Sequence, residues 1–129
     1  MGWVSHFDNS DWQCKSNCSW DGDSWNVAGP GLVIETIGTW DSGYRPTEIR
    51  ITATNNATGF WDLNLKDANG SVIASVAVPN GSSQVDTADI SFDGYDVDEI
   101  VDMDAPGTGQ IENIEFYELA WNHDIIGGV

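Results

Sequence analysis

The sequence predicts an all-β protein, an antiparallel β-sandwich or jelly roll of about eight strands separated by Gly, Pro and Asn turns. Polar and apolar residues alternate strictly over 48–54 and 60–66, and the breaks between such stretches are short and rich in Asn and Gly. A period of two gives each strand one face towards a core, and short breaks make neighbouring strands antiparallel. A meander with one apolar face needs a second sheet to cover it, which favours a sandwich.

The remaining elements follow the same pattern along one domain of residues 1–129. The candidate strands lie at 3–7, 31–38, 48–54, 60–66, 71–78, 84–92, 99–103 and 111–119. The stretch 13–30 shows no sustained period and is predicted to be a long loop, while 120–129 is predicted to be an irregular C-terminal tail ending near Gly127 and Gly128. No amphipathic helix longer than a turn or two is visible.

The alternation also predicts which side chains fill the core. Apolar residues at every second position of the two central strands and of the last long strand should share one buried face. These residues are Ile49, Ile51, Trp61, Leu63, Leu65, Ile114 and Phe116.

The composition limits the kinds of partner. The chain has 21 acidic and 4 basic residues and a formal net charge of −17, which repels phosphate backbones and argues against nucleic acid as a partner. No apolar run approaches the roughly 20 residues of a membrane span, so no membrane insertion is expected. The N-terminus shows neither a basic region nor an apolar segment of a signal peptide, so the chain is expected either to stay inside the cell that makes it or to be exported by another route. An extracellular or virion-surface location remains the expectation.

Cys14 and Cys18 are the two cysteines of the chain, four residues apart. This spacing suits a disulfide that closes a small loop, with two free thiols as the alternative, and the redox compartment decides between them. Two cysteines without further Cys or a nearby His make a poor zinc site.

The aromatic residues of the predicted loops are candidates for ligand binding. An exposed aromatic ring can stack on the apolar face of a sugar, and binding residues are commonly carried by loops on a rigid scaffold. The chain has seven Trp residues. We predict a ligand platform that includes Trp20, Trp25, Trp40 and Tyr44, with Trp12 in a similar loop setting. The alternatives are packing at the sandwich edges and contact with a partner protein.

Catalysis is not predicted. His6 and His123 are the two histidines, and neither has a recognisable nucleophile setting. The turn serines show no nucleophile-elbow pattern, and a pair of carboxylates carries no information in a chain this acidic. The chain is therefore expected not to be an enzyme.

Two stretches near the ends of the chain resemble jelly-roll carbohydrate-binding modules. Phe-Asp-Asn-Ser-Asp-Trp at 7–12 is similar to their opening, and Ile-Glu-Asn-Ile-Glu-Phe-Tyr at 111–117 is similar to their closing strand. The resemblance implies that these stretches lie close together and hold a structural calcium ion. Carried over to this chain, the expected ligands are Asp8 and Glu112, with Asp124 as a further ligand, and carboxylate oxygens suit calcium.

Two functions of different classes follow from these observations. The first is a non-catalytic module that recognises carbohydrate through its loop aromatics. The second is a structural virion protein, such as a phage decoration or fibre-associated subunit with a jelly-roll fold. The partner is accordingly a glycan or a neighbouring protein subunit, and fold analogy alone does not decide between them.

Overall fold

In a computed structural model, the chain forms two antiparallel β-sheets that face each other across one core. The structure describes residues 2–37, 46–87, 90, 97–102 and 107–118. These residues form eleven strands: β1 Gly2–Ser5, β2 Trp12–Ser16, β3 Cys18–Trp20, β4 Trp25–Val27, β5 Leu32–Thr36, β6 Glu48–Asn55, β7 Trp61–Asp67, β8 Val72–Val78, β9 Gly81–Thr87, β10 Val97–Asp102 and β11 Gly109–Glu118. Nowhere in these ranges does a helix occur that could cross a membrane.

The strands are divided between a six-stranded and a five-stranded sheet. The six-stranded sheet has the order β3-β4-β11-β6-β9, and β1 also pairs with β11. The five-stranded sheet has the order β2-β5-β10-β7-β8. Two short strands share one side of β11: β4 pairs with residues 109–111 and β1 pairs with residues 115–118. The other side of β11 pairs with β6. The predicted sandwich of jelly-roll type is confirmed.

The sequence prediction is wrong at 13–30, where three short strands replace the expected long loop. Strands of three to five residues are too short to show a clear period, so their pairing was not visible. The β3–β4 hairpin places Trp20 opposite Trp25. Its turn is closed by Asp21, whose Oδ1 accepts hydrogen bonds from the backbone N–H groups of Asp23 at 2.9 Å and Ser24 at 2.8 Å. The predicted tail at 120–129 lies outside the described residues.

The core has the predicted composition. All seven side chains expected there are buried: Ile49, Ile51, Trp61, Leu63, Leu65, Ile114 and Phe116. They join one cluster with residues of the short strands, including Trp12 and Trp25. Fully burying such large apolar side chains stabilises the fold by about 1.5–3 kcal/mol each.

The buried amide of Asn55 organises the turn that connects β6 to β7. Its Nδ2 donates to the carbonyl oxygens of Gly59 at 2.9 Å and Val78 at 3.0 Å. Its Oδ1 accepts from the N–H of Ala57 at 2.8 Å. These bonds satisfy backbone groups that would otherwise be buried without partners, and such groups cost about 1–3 kcal/mol each. The turn predicted between the two central strands is thus held from inside the protein.

A disulfide joins Cys14 of β2 to Cys18 of β3, which confirms the predicted bond. The strand β2 is at an edge of the five-stranded sheet and β3 is at an edge of the six-stranded sheet. The bond therefore links the two sheets along one open side of the sandwich. Asn17 alone separates the two strands and has a positive φ of 54°, a conformation that Asn tolerates better than most residues. Its Nδ2 donates to the carbonyl oxygen of Pro30 at 2.6 Å.

Candidate functional site

The residues on either side of 38–45, where the sequence predicts a loop with Trp40 and Tyr44, are hydrogen-bonded to other segments of the chain. The N–H of Ile37, at the end of the described segment before the loop, donates to the carbonyl oxygen of Asp11 at 3.0 Å. On the other side of residues 38–45, the N–H of Thr47 donates to the carbonyl oxygen of Tyr117 in β11 at 3.1 Å. Trp40 and Tyr44 lie outside the described residues.

Thr47 makes a second backbone hydrogen bond, to Ile90. The N–H of Ile90 donates to the carbonyl oxygen of Thr47 at 3.2 Å. Thr47 therefore bonds to β11 through its N–H and to Ile90 through its carbonyl group. These two bonds hold the backbone at Thr47, close in sequence to the predicted loop, and binding residues are commonly carried by loops on a rigid scaffold.

Trp20 belongs to an aromatic cluster at the six-stranded sheet. Its ring centroid is 5.2 Å from that of Phe7 in an edge-to-face arrangement and 5.2 Å from that of Trp25 in a tilted arrangement. Trp20 is partly buried. Aromatic pairs in such geometries are worth about 0.5–1.5 kcal/mol beyond their burial. Trp20 has a packing role in this cluster and keeps part of its surface exposed.

The prediction that Trp25 presents a ring to solvent is wrong, and so is the loop setting expected for Trp12. Trp25 is 2% exposed and its indole N–H donates to the carbonyl oxygen of Phe7 at 2.6 Å. Trp12 is 0% exposed and its indole N–H donates to the carbonyl oxygen of His6 at 2.9 Å. Both rings point into the core because they lie on strands, where alternate side chains face inwards.

The two predicted calcium ligands that the structure describes are engaged with protein groups. One oxygen of Asp8 accepts hydrogen bonds from the N–H and hydroxyl of Ser10, and these bonds lower the pKa of the Asp8 carboxyl. Glu112 Oε1 accepts from the Thr54 hydroxyl at 3.1 Å. Asp124 lies outside the described residues. Within the part of the chain that is described, no three His, Cys, Asp or Glu side chains come together as a metal site. Calcium binding at Asp8, Glu112 and Asp124 stays a prediction.

Calcium binding is tested by the melting temperature in the presence and absence of a chelator. An ion that binds only the folded state raises the melting temperature by mass action, so we expect EDTA at low salt to lower it. Glu112→Gln keeps the shape of the side chain and removes its charge. In this variant the response to EDTA should disappear. An unchanged melting curve of the parent protein with EDTA would remove the predicted site.

The sequence prediction missed one exposed aromatic residue. Phe60 precedes β7 and is 61% exposed, although the alternation had included it in a strand. Its exposure follows the period of two, because the next residue, Trp61, points into the core. Phe60 lies in the turn between the end of β6 and the start of β7. Thr47 lies at the other end of β6, and Ile37 directly follows β5. It therefore serves as a reference aromatic outside the 38–45 loop region.

Comparison with known proteins gives a result at the level of structure. No protein-family profile and no curated protein sequence matches the chain. Solved structures do match over nearly the whole chain. A β-1,3-glucan-binding family 6 carbohydrate-binding module from Bacillus halodurans superposes with a TM-score of 0.62 at 15% identity, covering 90% of this chain and 95% of that one. The fold is that of the family 6 carbohydrate-binding modules.

Two further structures, one from family 29 and one from family 6, share this fold. A point variant of a family 29 module superposes with a TM-score of 0.60 at 12% identity, covering 90% of this chain and 91% of that one. A family 6 module from Clostridium cellulolyticum, solved in complex with xylose, superposes with a TM-score of 0.58 at 14% identity, covering 92% of this chain and 98% of that one. What the three carbohydrate-binding modules share with this chain is the jelly-roll sandwich.

Proposed function

We propose that the protein is a non-catalytic module that binds a neutral glycan. The observation that carries the proposal is the fold, which covers at least 90% of this chain in matches to carbohydrate-binding modules. One of these modules binds β-1,3-glucan and another was solved with xylose. We infer the same class of ligand for this chain.

The charge of the chain supports a neutral ligand. The formal net charge is −17, so a sulfated or phosphorylated glycan would approach against a strong negative field. Stacking of an aromatic ring on a sugar does not require opposite charges. A neutral polysaccharide is therefore the ligand class that fits both the fold and the charge.

The proposed binding residues are Trp40 and Tyr44, with Trp20 as an additional candidate. The support for the first two is their place in a predicted loop, whose flanking residues Ile37 and Thr47 are hydrogen-bonded to other segments of the chain. Trp20 is only partly buried, whereas the burial of Trp25 removes that residue from the proposed platform.

The setting of the protein is proposed to be extracellular. The Cys14–Cys18 disulfide supports this location, because disulfides form and persist in oxidising environments. The alternative function as a structural virion protein receives no support from the solved structures, which are carbohydrate-binding modules.

Trp40→Ala tests the proposed site. We expect affinity for soluble glycans such as β-1,3-glucan and xylan to fall by about tenfold, which corresponds to about 1.4 kcal/mol, the scale of a binding hot spot. Isothermal titration calorimetry and affinity gel electrophoresis measure this change. Phe60→Ala is the matched control, since it removes an exposed aromatic ring outside the 38–45 loop and should leave affinity unchanged.

Two outcomes would contradict the proposed function. If the parent protein binds no member of a broad array of neutral glycans, the ligand class is wrong. If glycans bind and Trp40→Ala has no effect, the loop is not the site. Blank arrays together with stoichiometric binding to a phage particle would instead establish the virion alternative.

A further inference from the structure

The chain contains two Asn-Gly dipeptides, and both lie where the chain turns between strands. Asn69-Gly70 lies between β7 and β8, and Asn80-Gly81 spans the start of β9. Each dipeptide is followed by Ser, so the two positions share the local sequence Asn-Gly-Ser. An asparagine followed by glycine is prone to spontaneous loss of its side-chain amide, because glycine has no side chain to shield its backbone nitrogen or to restrict its conformation.

In this reaction the backbone nitrogen of the glycine attacks the side-chain carbonyl carbon, Cγ, of the asparagine. A new C–N bond forms and the bond from Cγ to Nδ2 breaks, and the side-chain nitrogen leaves as ammonia with the proton of the glycine N–H. Water then opens the resulting cyclic imide. Cleavage at Cγ gives aspartate, whereas cleavage at the backbone carbonyl carbon gives isoaspartate, in which the main chain runs through the side-chain carbons. The net reaction consumes water and releases ammonia without oxidation or reduction.

Hydrogen bonds restrain the side chain of Asn80. Its Nδ2 donates to the carbonyl oxygens of Asn55 at 3.2 Å and Ala57 at 2.5 Å. Gly81, whose nitrogen would have to attack, belongs to β9 and pairs with Asn55 of β6. Cyclisation at Asn80 therefore requires the loss of both side-chain hydrogen bonds and the movement of a residue in a paired strand.

The side chain of Asn69 is exposed and makes no hydrogen bond to any residue that the structure describes. Gly70 lies in the turn and not in a strand, with a positive φ of 84°. Its N–H donates to the carbonyl oxygen of Asp67 at 3.0 Å. Attack by the Gly70 nitrogen requires the loss of this turn bond, and no side-chain bond or strand pairing has to be released. Asn80 is exposed as well, so the hydrogen bonds distinguish the two asparagines and exposure does not.

The turn that contains Asn69 is closed around the carboxyl group of Asp67, which is 1% exposed. Its Oδ1 accepts hydrogen bonds from the N–H groups of Asn69 at 2.9 Å and Ser71 at 3.0 Å, and its Oδ2 has no partner among the described residues. The N–H of Asp67 donates to the carbonyl oxygen of Ser71 at 3.1 Å. Isoaspartate at 69 adds an atom to the main chain between Asp67 and Ser71, so the bonds that join these two residues lose their geometry. Buried polar groups without partners then destabilise the turn.

We propose that Asn69 is a site of spontaneous deamidation whose isoaspartate product opens the β7–β8 turn, while the folded protein protects Asn80. The reaction needs water alone and is independent of the proposed glycan site. Strand β8 is an edge strand of the five-stranded sheet and pairs there with β7. The modification therefore adds a negative charge and loosens one end of an edge hairpin.

Incubation at mildly alkaline pH, in buffer and in concentrated urea, tests the site. Mass spectrometry with electron-transfer fragmentation assigns the gain in mass to Asn69 or Asn80 and separates isoaspartate from aspartate. In the folded protein we expect Asn69 to react about tenfold faster than Asn80 or more, because the hydrogen bonds of the Asn80 amide must break before cyclisation. In urea the two rates should converge, since both positions have the sequence Asn-Gly-Ser. Equal rates in the folded protein, or reaction of Asn69 in urea alone, would overturn the proposal.

Asn69→Asp is the matched control for the effect on the turn, because it carries the charge of the product without the added main-chain atom. Hydrogen exchange of the Ser71 amide is measured by NMR in the parent protein, in this variant and in the isoaspartate form purified from the aged sample. We expect exchange at Ser71 to be faster in the isoaspartate form than in the other two. Equal exchange in Asn69→Asp and the isoaspartate form would overturn the proposed opening of the turn, since the added atom would then have no effect of its own.

Discussion

Gly109→Ala is expected to destabilise the fold by about 3 kcal/mol or more, at the upper end of what added atoms cost in a packed interior. A Cβ atom at this position would lie 2.1 Å from the carbonyl oxygen of Thr54 and 2.5 Å from the ring of Trp61. Neither neighbour can move easily, because Gly109 pairs with strands on both sides of β11 and Trp61 is fully buried. The close approach of backbone and ring requires a residue without a side chain.

Urea denaturation followed by tryptophan fluorescence and circular dichroism measures this effect. Gln110→Ala is the control, since the adjacent side chain is exposed and surface substitutions usually change stability by less than about 0.5 kcal/mol. A free energy of unfolding for Gly109→Ala that equals that of the control would show that β11 does not approach Trp61 as described.

Leu63→Ala is expected to cost about 2–5 kcal/mol, the range for removing a large aliphatic side chain from a packed core. Leu63 is 1% exposed and lies in β7, which pairs with β8 on one side and with β10 on the other. Truncation would leave a cavity between the two sheets. The surrounding strands can move into this cavity only in part, because β7 is held on both sides by its pairing with β8 and β10.

The same denaturation measurement applies, with Asp62→Ala as the control. Asp62 is the exposed neighbour of Leu63 on the opposite face of β7. A loss of less than about 0.5 kcal/mol for Leu63→Ala would place this residue outside the core and contradict the register of β7.

The long strands could be predicted from the sequence because each residue position has an unambiguous orientation there. Ile49 and Ile51 alternate with Arg50 over enough residues for the period of two to be clear, and the turns between long strands contain Asn and Gly. The short strands could not be predicted in this way. Three residues such as Trp25–Val27 give a single alternation, and their pairing with β3 and β11 defines them as a strand.

The candidate site was predictable only in part, because exposure of an aromatic ring depends on its three-dimensional neighbours. Trp25 and Trp20 both occur among small polar residues in the sequence, yet one ring is buried and the other is partly exposed. The contact of Trp3 with Arg50 was equally invisible, since it depends on the pairing of β1 with β11 at the far end of the chain. The Cys14–Cys18 bond was predictable because it is local in sequence.

Two short connections between the sheets restrict the separation of the sheets from each other. Asn17 and the Cys14–Cys18 bond tie β2 to β3 along one side, and Pro79 and Asn80 alone connect β8 to β9 along the other. The two sheets cannot separate along either side while these connections are intact. Local opening is therefore confined to the two ends of the sandwich, where it costs least. The amides of the strands along both closed sides, β2, β3, β8 and β9, are therefore expected to be protected from hydrogen exchange.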